Sequence, residues 1–539
     1  MTSRVVLVLL LVSIVTAPAH SQQAGSAVPP ANGSGAGSAA AAGNPATNDD
    51  EEGEGSGSGS AIVAPTDPKA RPKWLKEQLQ AAIAARPLLT AKAKIGVSFV
   101  DITTGTELFA HDGDKGMSLA SNAKLLTSVA ALGTIGGGFR WRTTVLVDDK
   151  ALDETTGIVT GDLYLRAHGD PTLSVNDLRA MATELAARGV RTIQGSLMIE
   201  ADYFDTTIDP PHFNEQPKER AYFRAPIASF GVSRSAFLVN VIGEPGGGAK
   251  VWLEPDAGEH IKLTKTEVTS VVEGRTRIKV DIKPKKDNLE VEVTGQIRFA
   301  DGHWWAKKRI DDPLRYAAEV FKRALAEKGI KFQKKPIKLG VIPLNAKPLV
   351  THDSMPLSAV IREMNKSSDN YFAESVLKTL GAETRATPAP ASWADGVAAV
   401  QAFLAKIGLP PGTYRCDNGS GLFNATEVSA KQMVTLLRAA HKDYRIGPDL
   451  LASLPVGGMD GTLAKRWHTS AARGRVRAKT GTLASVTTLA GYVGVDSAHP
   501  VAFAIFVNDI PTGQKGPARA MADDMLDAIV AYLEAEATR

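Results

Sequence analysis

Ser121 and Lys124 stand three residues apart in a stretch with helical spacing, and Ser368, Asn370 and Lys479 follow far downstream. Residues at i and i+3 share a helix face, so the Lys124 amine can reach the Ser121 hydroxyl. A serine hydroxyl is a poor nucleophile until a neighbouring base takes its proton. Lysine can be that base once burial lowers its pKa. Leu125, Leu126, Val129 and Leu132 form an apolar stripe, so the stretch packs into a core, which supplies the burial. A serine near a helix N-terminus also sits where the dipole favours developing negative charge.

The two later segments offer what acyl transfer still needs. In Ser368-Asp369-Asn370, Ser368 can relay a proton to a leaving amine, and Asn370 can bond both a substrate amide and the base lysine. In Lys479-Thr480-Gly481-Thr482, the lysine and the two hydroxyls suit a substrate carboxylate, while Gly481 lets an edge strand approach an extended peptide. Alone, each motif has a plain structural reading: a helix-start serine, a turn, a strand end. An S-x-x-K arises by chance about once or twice in a chain of this size, and S-D-N or K-T-G on the order of once in ten such chains. Three together, ordered and widely spaced, outweigh the plain readings. A second S-x-x-K, Ser375 to Lys378, falls inside the helical stretch after Ser-Asp-Asn and reads as a pair on a solvated helix face.

The elements that must position these groups alternate between two textures. A strand is predicted over 94–103 with a hairpin partner around Leu108, then a helix over 121–132 closed by Gly136, Gly137 and Gly138. From Trp141 to about Val341 short strands dominate, over 142–147, 157–167, 192–200, 277–282 and 289–297, with helices near 175–188 and 313–328. This reads as an inserted α+β region, in one body or two nested lobes. Helices return over 356–365, 370–380, 393–407 and 426–441, two strands follow over 484–495 and 501–508, and a helix over 518–534 closes the chain. The fold class is α+β.

Bulk properties exclude several function classes. The 62 basic and 58 acidic residues are spread along the 539-residue chain, giving a net charge of +4, so no basic stripe marks a nucleic-acid binder. A single cysteine, Cys416, permits no intramolecular disulfide, zinc ribbon or iron–sulfur cluster, and reads as a small buried hydrophobe rather than a catalytic thiol. Arg4, the short apolar run 5–17 and Ala17-Pro18-Ala19 read as an export signal over 1–19, with an uncleaved anchor as the alternative. Residues 20–70 are rich in Ala, Gly, Ser and Pro, with an acidic knot at Asp49, Asp50, Glu51 and Glu52, and read as a flexible tether. No other segment reaches ~18 consecutive apolar residues, so no integral membrane segment is expected after signal cleavage.

The three motifs are those of class A β-lactamases and penicillin-binding proteins. Beyond them, the chain resembles the low-molecular-mass class C penicillin-binding proteins, the D-alanyl-D-alanine carboxypeptidase/endopeptidase (peptidase S13) family. The similar segments include 161–165, 169–173, Met364-Asn365-Lys366, Asn418-Gly419-Ser420-Gly421-Leu422, 454–463 and 476–483. Ser121 and Ser368 are 247 positions apart, room for extra domains inside a transpeptidase-like fold. The resemblance implies a catalytic domain over 71–142 and 345–539, an antiparallel sheet flanked by helices, with 143–344 inserted. It implies Ser121 as nucleophile, Lys124 as base, Ser368 and Asn370 as proton relay, and Lys479, Thr480, Gly481 and Thr482 at the substrate carboxylate. Backbone N–H groups of Ser121 and Thr482 would form the oxyanion hole. No metal or other cofactor is implied. The substrates would be peptidoglycan stem peptides in the periplasm, and β-lactam antibiotics would be inhibitors.

Two positions depart from the family's pattern. Asn424 stands where an arginine is common, and Glu200, in Ile199-Glu200-Ala201-Asp202-Tyr203-Phe204, stands where an Asp-rich segment is common. Glu200 has two readings, a partner for the amine of a diamino-acid side chain or a solvated carboxylate at a strand end. Two other readings of the chain are a serine β-lactamase, which needs a carboxylate to drive deacylation, and a non-catalytic wall-binding protein on the same fold.

Overall fold

The strand Val501–Asn508 is buried along its whole length. Alternate side chains of a strand face opposite ways, and here both faces are apolar. Val501, Phe503, Ile505 and Val507 join one core, and Ala502, Ala504 and Phe506 join another. A strand buried on both faces belongs at the centre of a helix–sheet–helix sandwich, and it lies there. Lys94–Asp101 and Val486–Val493 flank it antiparallel. Glu107–His111 and Val476–Leu483 form the two edges of the five-stranded sheet.

The helices Arg71–Ala84 and Lys515–Ala537 cover one face through Leu75, Leu79, Met521, Met525 and Ile529. On the other face lie Ala123–Thr134, Asn370–Thr384 and Ala430–Lys442, with Leu125, Val129, Val376 and Leu437 in one core. Each such side chain, fully buried, contributes roughly 1.5–3 kcal/mol.

The computed structural model describes residues 62–215, 220–286, 288–334, 336–386 and 388–537. The export signal expected at 1–19 and most of the tether expected at 20–70 lie outside them.

Between the first inner helix and the Ser-Asp-Asn segment the chain builds strand-rich layers over a core of their own, from Val145 to Val350. The strand that enters, Arg142–Val147, pairs antiparallel with the one that leaves, Lys347–Asp353, so the region begins and ends in one five-stranded sheet. A three-stranded sheet orders Ala249–Glu254, Ala236–Gly243 and His303–Arg309, and another orders Ile261–Val271, Leu289–Arg298 and Arg277–Pro284. The helices Val175–Ala187 and Pro313–Glu327 pack into the same core.

Several elements differ from the sequence prediction. The strands expected over 157–167 and 192–200 each break in two, at Ile158–Val159 and Leu163–Ala167 and at Thr192–Ile193 and Leu197–Glu200. The helix expected over 426–441 begins as a strand, Thr426–Val428, paired with 415–416 and 117–118. The helix then starts at Ala430 behind a capping box of Ser429 and Gln432. Ser121 lies in a 3₁₀ turn, Ala120–Asn122, which leads into the helix at Ala123.

Candidate active site

Ala120 has a left-handed backbone, φ 45°, a conformation that costs a non-glycine residue roughly 1–2 kcal/mol. This tight turn sets Ser121 half-buried at the head of the inner helix. Beside it, Asn122 donates to the Thr488 hydroxyl at 2.6 Å, and that hydroxyl donates to the Leu119 carbonyl at 2.8 Å, which locks the turn onto the sheet.

Lys124 is fully buried. Its Nζ lies 3.0 Å from Ser121 Oγ, 2.7 Å from Asn370 Oδ1 and 3.1 Å from the Ser420 carbonyl. An ammonium has three donors, and these three oxygens take them all. Burial pushes the lysine down to about 8, against the opposing pull of Glu374 and Asp369.

The helix Leu357–Ser367 ends in a left-handed residue, Ser368 (φ 58°), which turns its hydroxyl toward the sheet. Lys479 Nζ donates to Ser368 Oγ at 2.8 Å and to the Thr480 carbonyl at 2.8 Å. Lys479 too is fully buried, and burial and then the Lys124 charge hold it well below the ordinary lysine range. Asp369 caps the next helix by accepting from Phe372 N at 3.0 Å. Asn370 opens that helix and donates to the Phe223 carbonyl of the inserted region at 3.2 Å.

Lys479 through Thr482 lie on the edge strand Val476–Leu483. Residues 455–457 cover the start of its outer edge, through Ala478 N to Pro455 O and Gly457 N to Val476 O. Among the described residues no strand covers the rest. Gly481 packs against the nucleophile turn so closely that a Cβ would sit 2.6 Å from the Leu119 carbonyl and 3.0 Å from Ser121 N. Thr480 Oγ1 donates to Thr462 Oγ1 at 2.8 Å.

The structure thus brings together two bonded groups, Lys124 with Ser121 and Asn370, and Lys479 with Ser368, with Thr480, Gly481 and Thr482 following Lys479 on the edge strand. It does not bring Glu200 there. Glu200 is buried, accepts from Arg166, and takes the Ile342 N–H at 3.0 Å. Both oxygens are held, by Arg166 of the neighbouring strand and by the segment after Leu339, so Glu200 fastens that segment to the sheet and, contrary to expectation, does not face the Ser121 cluster as an amine-binding group. The second S-x-x-K is also corrected. Ser375 and Lys378 are buried rather than solvated, and Lys378 bonds Asp205 at 2.6 Å across to the inserted region.

Sequence reading missed several supporting groups. Glu374 sits one helical turn after Asn370, and its carboxylate accepts from Gly419 N, Ser420 N and Trp393 Nε1 at 2.9–3.0 Å. It thereby holds the loop whose Ser420 carbonyl bonds Lys124. The i, i+4 spacing from Asn370 was a readable signal. Arg234 had none: it pairs with Asp369 at 2.8 Å and lies over the Phe372 ring at 4.5 Å from a position 135 residues away. Asn424, in the place of the family's arginine, is exposed and accepts from Ser118 Oγ at 2.8 Å.

A strained serine turn, a buried lysine within reach of the serine hydroxyl and a lysine-bearing open strand edge are the parts that acyl transfer from an extended peptide would need. The comparisons agree with that chemistry. A D-alanyl-D-alanine carboxypeptidase of Actinomadura sp. (strain R39) is 33% identical over 474 residues, 85% of this chain and 84% of that protein. The D-alanyl-D-alanine carboxypeptidase DacB of Haemophilus influenzae is 26% identical, covering 78% of this chain and 86% of that one. In three dimensions, the crystal structure of penicillin binding protein 4 (dacB) from Haemophilus influenzae superposes with a TM-score of 0.68 at 24% identity, over 82% of this chain and 97% of that one. The same protein complexed with a β-lactam superposes with a TM-score of 0.65. The D-Ala-D-Ala carboxypeptidase 3 (S13) family matches residues 75–530, and the chain belongs to that family.

Proposed function

We propose that the protein is a penicillin-binding serine DD-peptidase that cleaves D-alanyl bonds of peptidoglycan stem peptides through an acyl-enzyme on Ser121. One observation carries this reading: Lys124, buried and lowered to about 8, with its Nζ 3.0 Å from Ser121 Oγ. Neutral Lys124 takes the Ser121 proton as Oγ attacks the carbonyl carbon before the terminal D-alanine. The tetrahedral oxyanion faces the backbone N–H groups of Ser121 and Thr482. Ser368, bonded to Lys479, passes a proton to the departing amine, and water then frees the acyl group. Lys479, Thr480 and Thr482 hold the terminal carboxylate along the open strand edge. With a penicillin, the leaving amine stays tethered, so the acyl-enzyme persists.

Glu374 also supports the peptidase over a β-lactamase. It is the nearest counterpart to a deacylating carboxylate, yet it is buried and both oxygens bond backbone N–H groups. We also propose that 142–353, which extends the expected 143–344 through the strand Lys347–Asp353, is an inserted unit and that the enzyme works in the periplasm, delivered by the segment 1–19. Among the described residues no helix is long and apolar enough to cross a membrane.

The test is to treat the protein with labelled penicillin and map the adduct, then to digest stem peptides and identify the products by mass spectrometry. The label belongs on Ser121, and D-alanine or the uncross-linked peptide should be released. Label on Ser375, or no adduct and no cleavage, overturns the reading.

A further inference from the structure

The sheet of Ala249–Glu254, Ala236–Gly243 and His303–Arg309 has one apolar face and one unusual one. Inward, Val239, Val241, Trp304 and Ala306 join the core of the inserted region. Outward, Asn240 stands directly between Trp252 on one neighbour and Trp305 on the other. Residues opposite one another in a sheet share a face, so these three side chains form a row. Trp305 is 40% exposed, whereas Trp304 beside it is 7% exposed. His303 stacks on Trp252 with ring centroids 5.5 Å apart and planes 10° from parallel. Beneath the rings, Asn240 bonds His303 Nε2 at 3.0 Å through Oδ1, while its Nδ2, buried, has no acceptor among the described residues. Glu254 accepts from Trp252 Nε1 at 3.0 Å and fixes that ring.

We propose that this outward face is a glycan-binding platform, on which the exposed Trp305 ring stacks against the sugar backbone of the peptidoglycan whose stem peptide enters the catalytic site. The stack of His303 on Trp252, over which the Lys250 ammonium also lies at 5.7 Å, is its flanking wall. Flat aromatic rings with a polar handle suit a sugar, which offers apolar C–H faces and a rim of hydroxyl and acetamide groups. A buried amide donor without an acceptor is costly unless something meets it, and here it lies beside an exposed aromatic ring.

Continuity with the catalytic site selects the occupant. Lys307 lies on the same face two residues beyond Trp305, roughly 7 Å along the strand, and its ammonium sits 5.3 Å from the Tyr222 ring centroid. The next residue, Phe223, accepts the Asn370 bond with its carbonyl. Lys307, Tyr222 and Phe223 thus form a continuous run of contacts from the platform to Asn370, and an extended stem covers roughly 3.5 Å per residue. A glycan on the tryptophans and its peptide on the open strand edge fit one enzyme at once. The platform rests on the proposed peptidoglycan activity for its ligand but not for its measurement.

The test uses insoluble glycan strands stripped of their stem peptides, with a β-1,4-linked N-acetylglucosamine tetramer as the soluble probe. Wild-type protein should sediment with the stripped glycan. Trp305→Ala and Trp252→Ala should weaken binding tenfold or more, and Trp305→Phe should keep most of it. Penicillin acylation and cleavage of free stem peptides should not change, so loss of acylation reports on the catalytic reading and loss of sedimentation on this one. Failure of the wild type to bind stripped glycan, or equal binding by the alanine variants, overturns the proposal. If the alanine variants misfold, hydrogen exchange of the wild type with the tetramer decides. Protection over 240–254 and 303–307 supports the platform, and protection only elsewhere removes it.

Discussion

A lysine in water titrates near 10.5, so at pH 7 roughly one in three thousand is neutral and able to act as a base. At about 8, the value that burial imposes on Lys124, the neutral fraction is about a tenth. That gain is what makes a fully buried lysine useful beside Ser121. Because the working form is the neutral one, acylation by penicillin should rise with pH through about 8 and level off above it. Asp369 raises this lysine's pKa, so Asp369→Asn, which keeps a capping oxygen for Phe372 N, should move the rising limb to lower pH. Lys124→Ala should slow acylation by ~10²–10⁴-fold at every pH. Stopped-flow acylation rates between pH 6 and 10 check all three. A flat wild-type profile, or a limb that moves up in Asp369→Asn, contradicts the assignment of the base.

At the scale of elements, the site depends on how closely the edge strand approaches the nucleophile turn. A Cβ on Gly481 would meet Thr488 Oγ1 at 2.2 Å as well as the backbone of Leu119 and Ser121. Gly481→Ala must therefore push Val476–Leu483 away from the turn. We expect acylation to fall by a hundredfold or more, with about 1–3 kcal/mol lost from stability, the usual penalty for overpacking. Gly116→Ala, whose Cβ would meet nothing within 4 Å, is the control and should acylate normally. Comparing acylation rates and denaturant midpoints of the two variants measures the difference, and a fully active Gly481→Ala would mean that the close approach is dispensable. At this scale the sequence carries a local signal for one helix start. Ser429 and Gln432 carry the capping-box spacing, which could have started that helix at Ala430, where the apolar periodicity alone ran it back to Thr426.

Across the whole molecule, the strand-rich region between Arg142 and Asp353 is fastened to the helix Asn370–Thr384 and its cap by polar contacts from distant positions. Phe223 meets Asn370, Arg234 meets Asp369, and Asp205 meets Lys378. Lys378 is fully buried, with its ammonium 4.1 Å from the Trp393 ring centroid and 5.1 Å from that of Phe204. Removing one partner of a buried ion pair leaves an uncompensated charge, which costs most when that charge is the fully buried Lys378 ammonium and less when it is the Asp205 carboxylate, 27% exposed and able to meet water. Asp205→Ala should therefore cost roughly 3 kcal/mol, and Lys378→Met should cost far less. Denaturant unfolding of both variants checks this, and equal losses would show that the pair, rather than the isolated charge, sets the energy.

Residue types and their local order already determined the reaction type, the nucleophile candidate and the α+β alternation in this protein. An i, i+3 serine and lysine on an apolar helix, and a glycine in a lysine-bearing strand, are short-range patterns set by backbone geometry. What Glu200 and Lys378 do was decided only by tertiary structure. Each is a charged side chain in an ambiguous sequence context, and burial against a partner far along the chain, Ile342 for one and Asp205 for the other, turned both into joints of the fold. The tryptophan row is of the same kind. Trp252 and Trp305 are 53 residues apart, and only the register of both strands on Asn240 sets them side by side. A partner's distance along the chain leaves no local periodicity to read, so the desolvation and pairing that assign such roles become visible only when the chain has closed on itself.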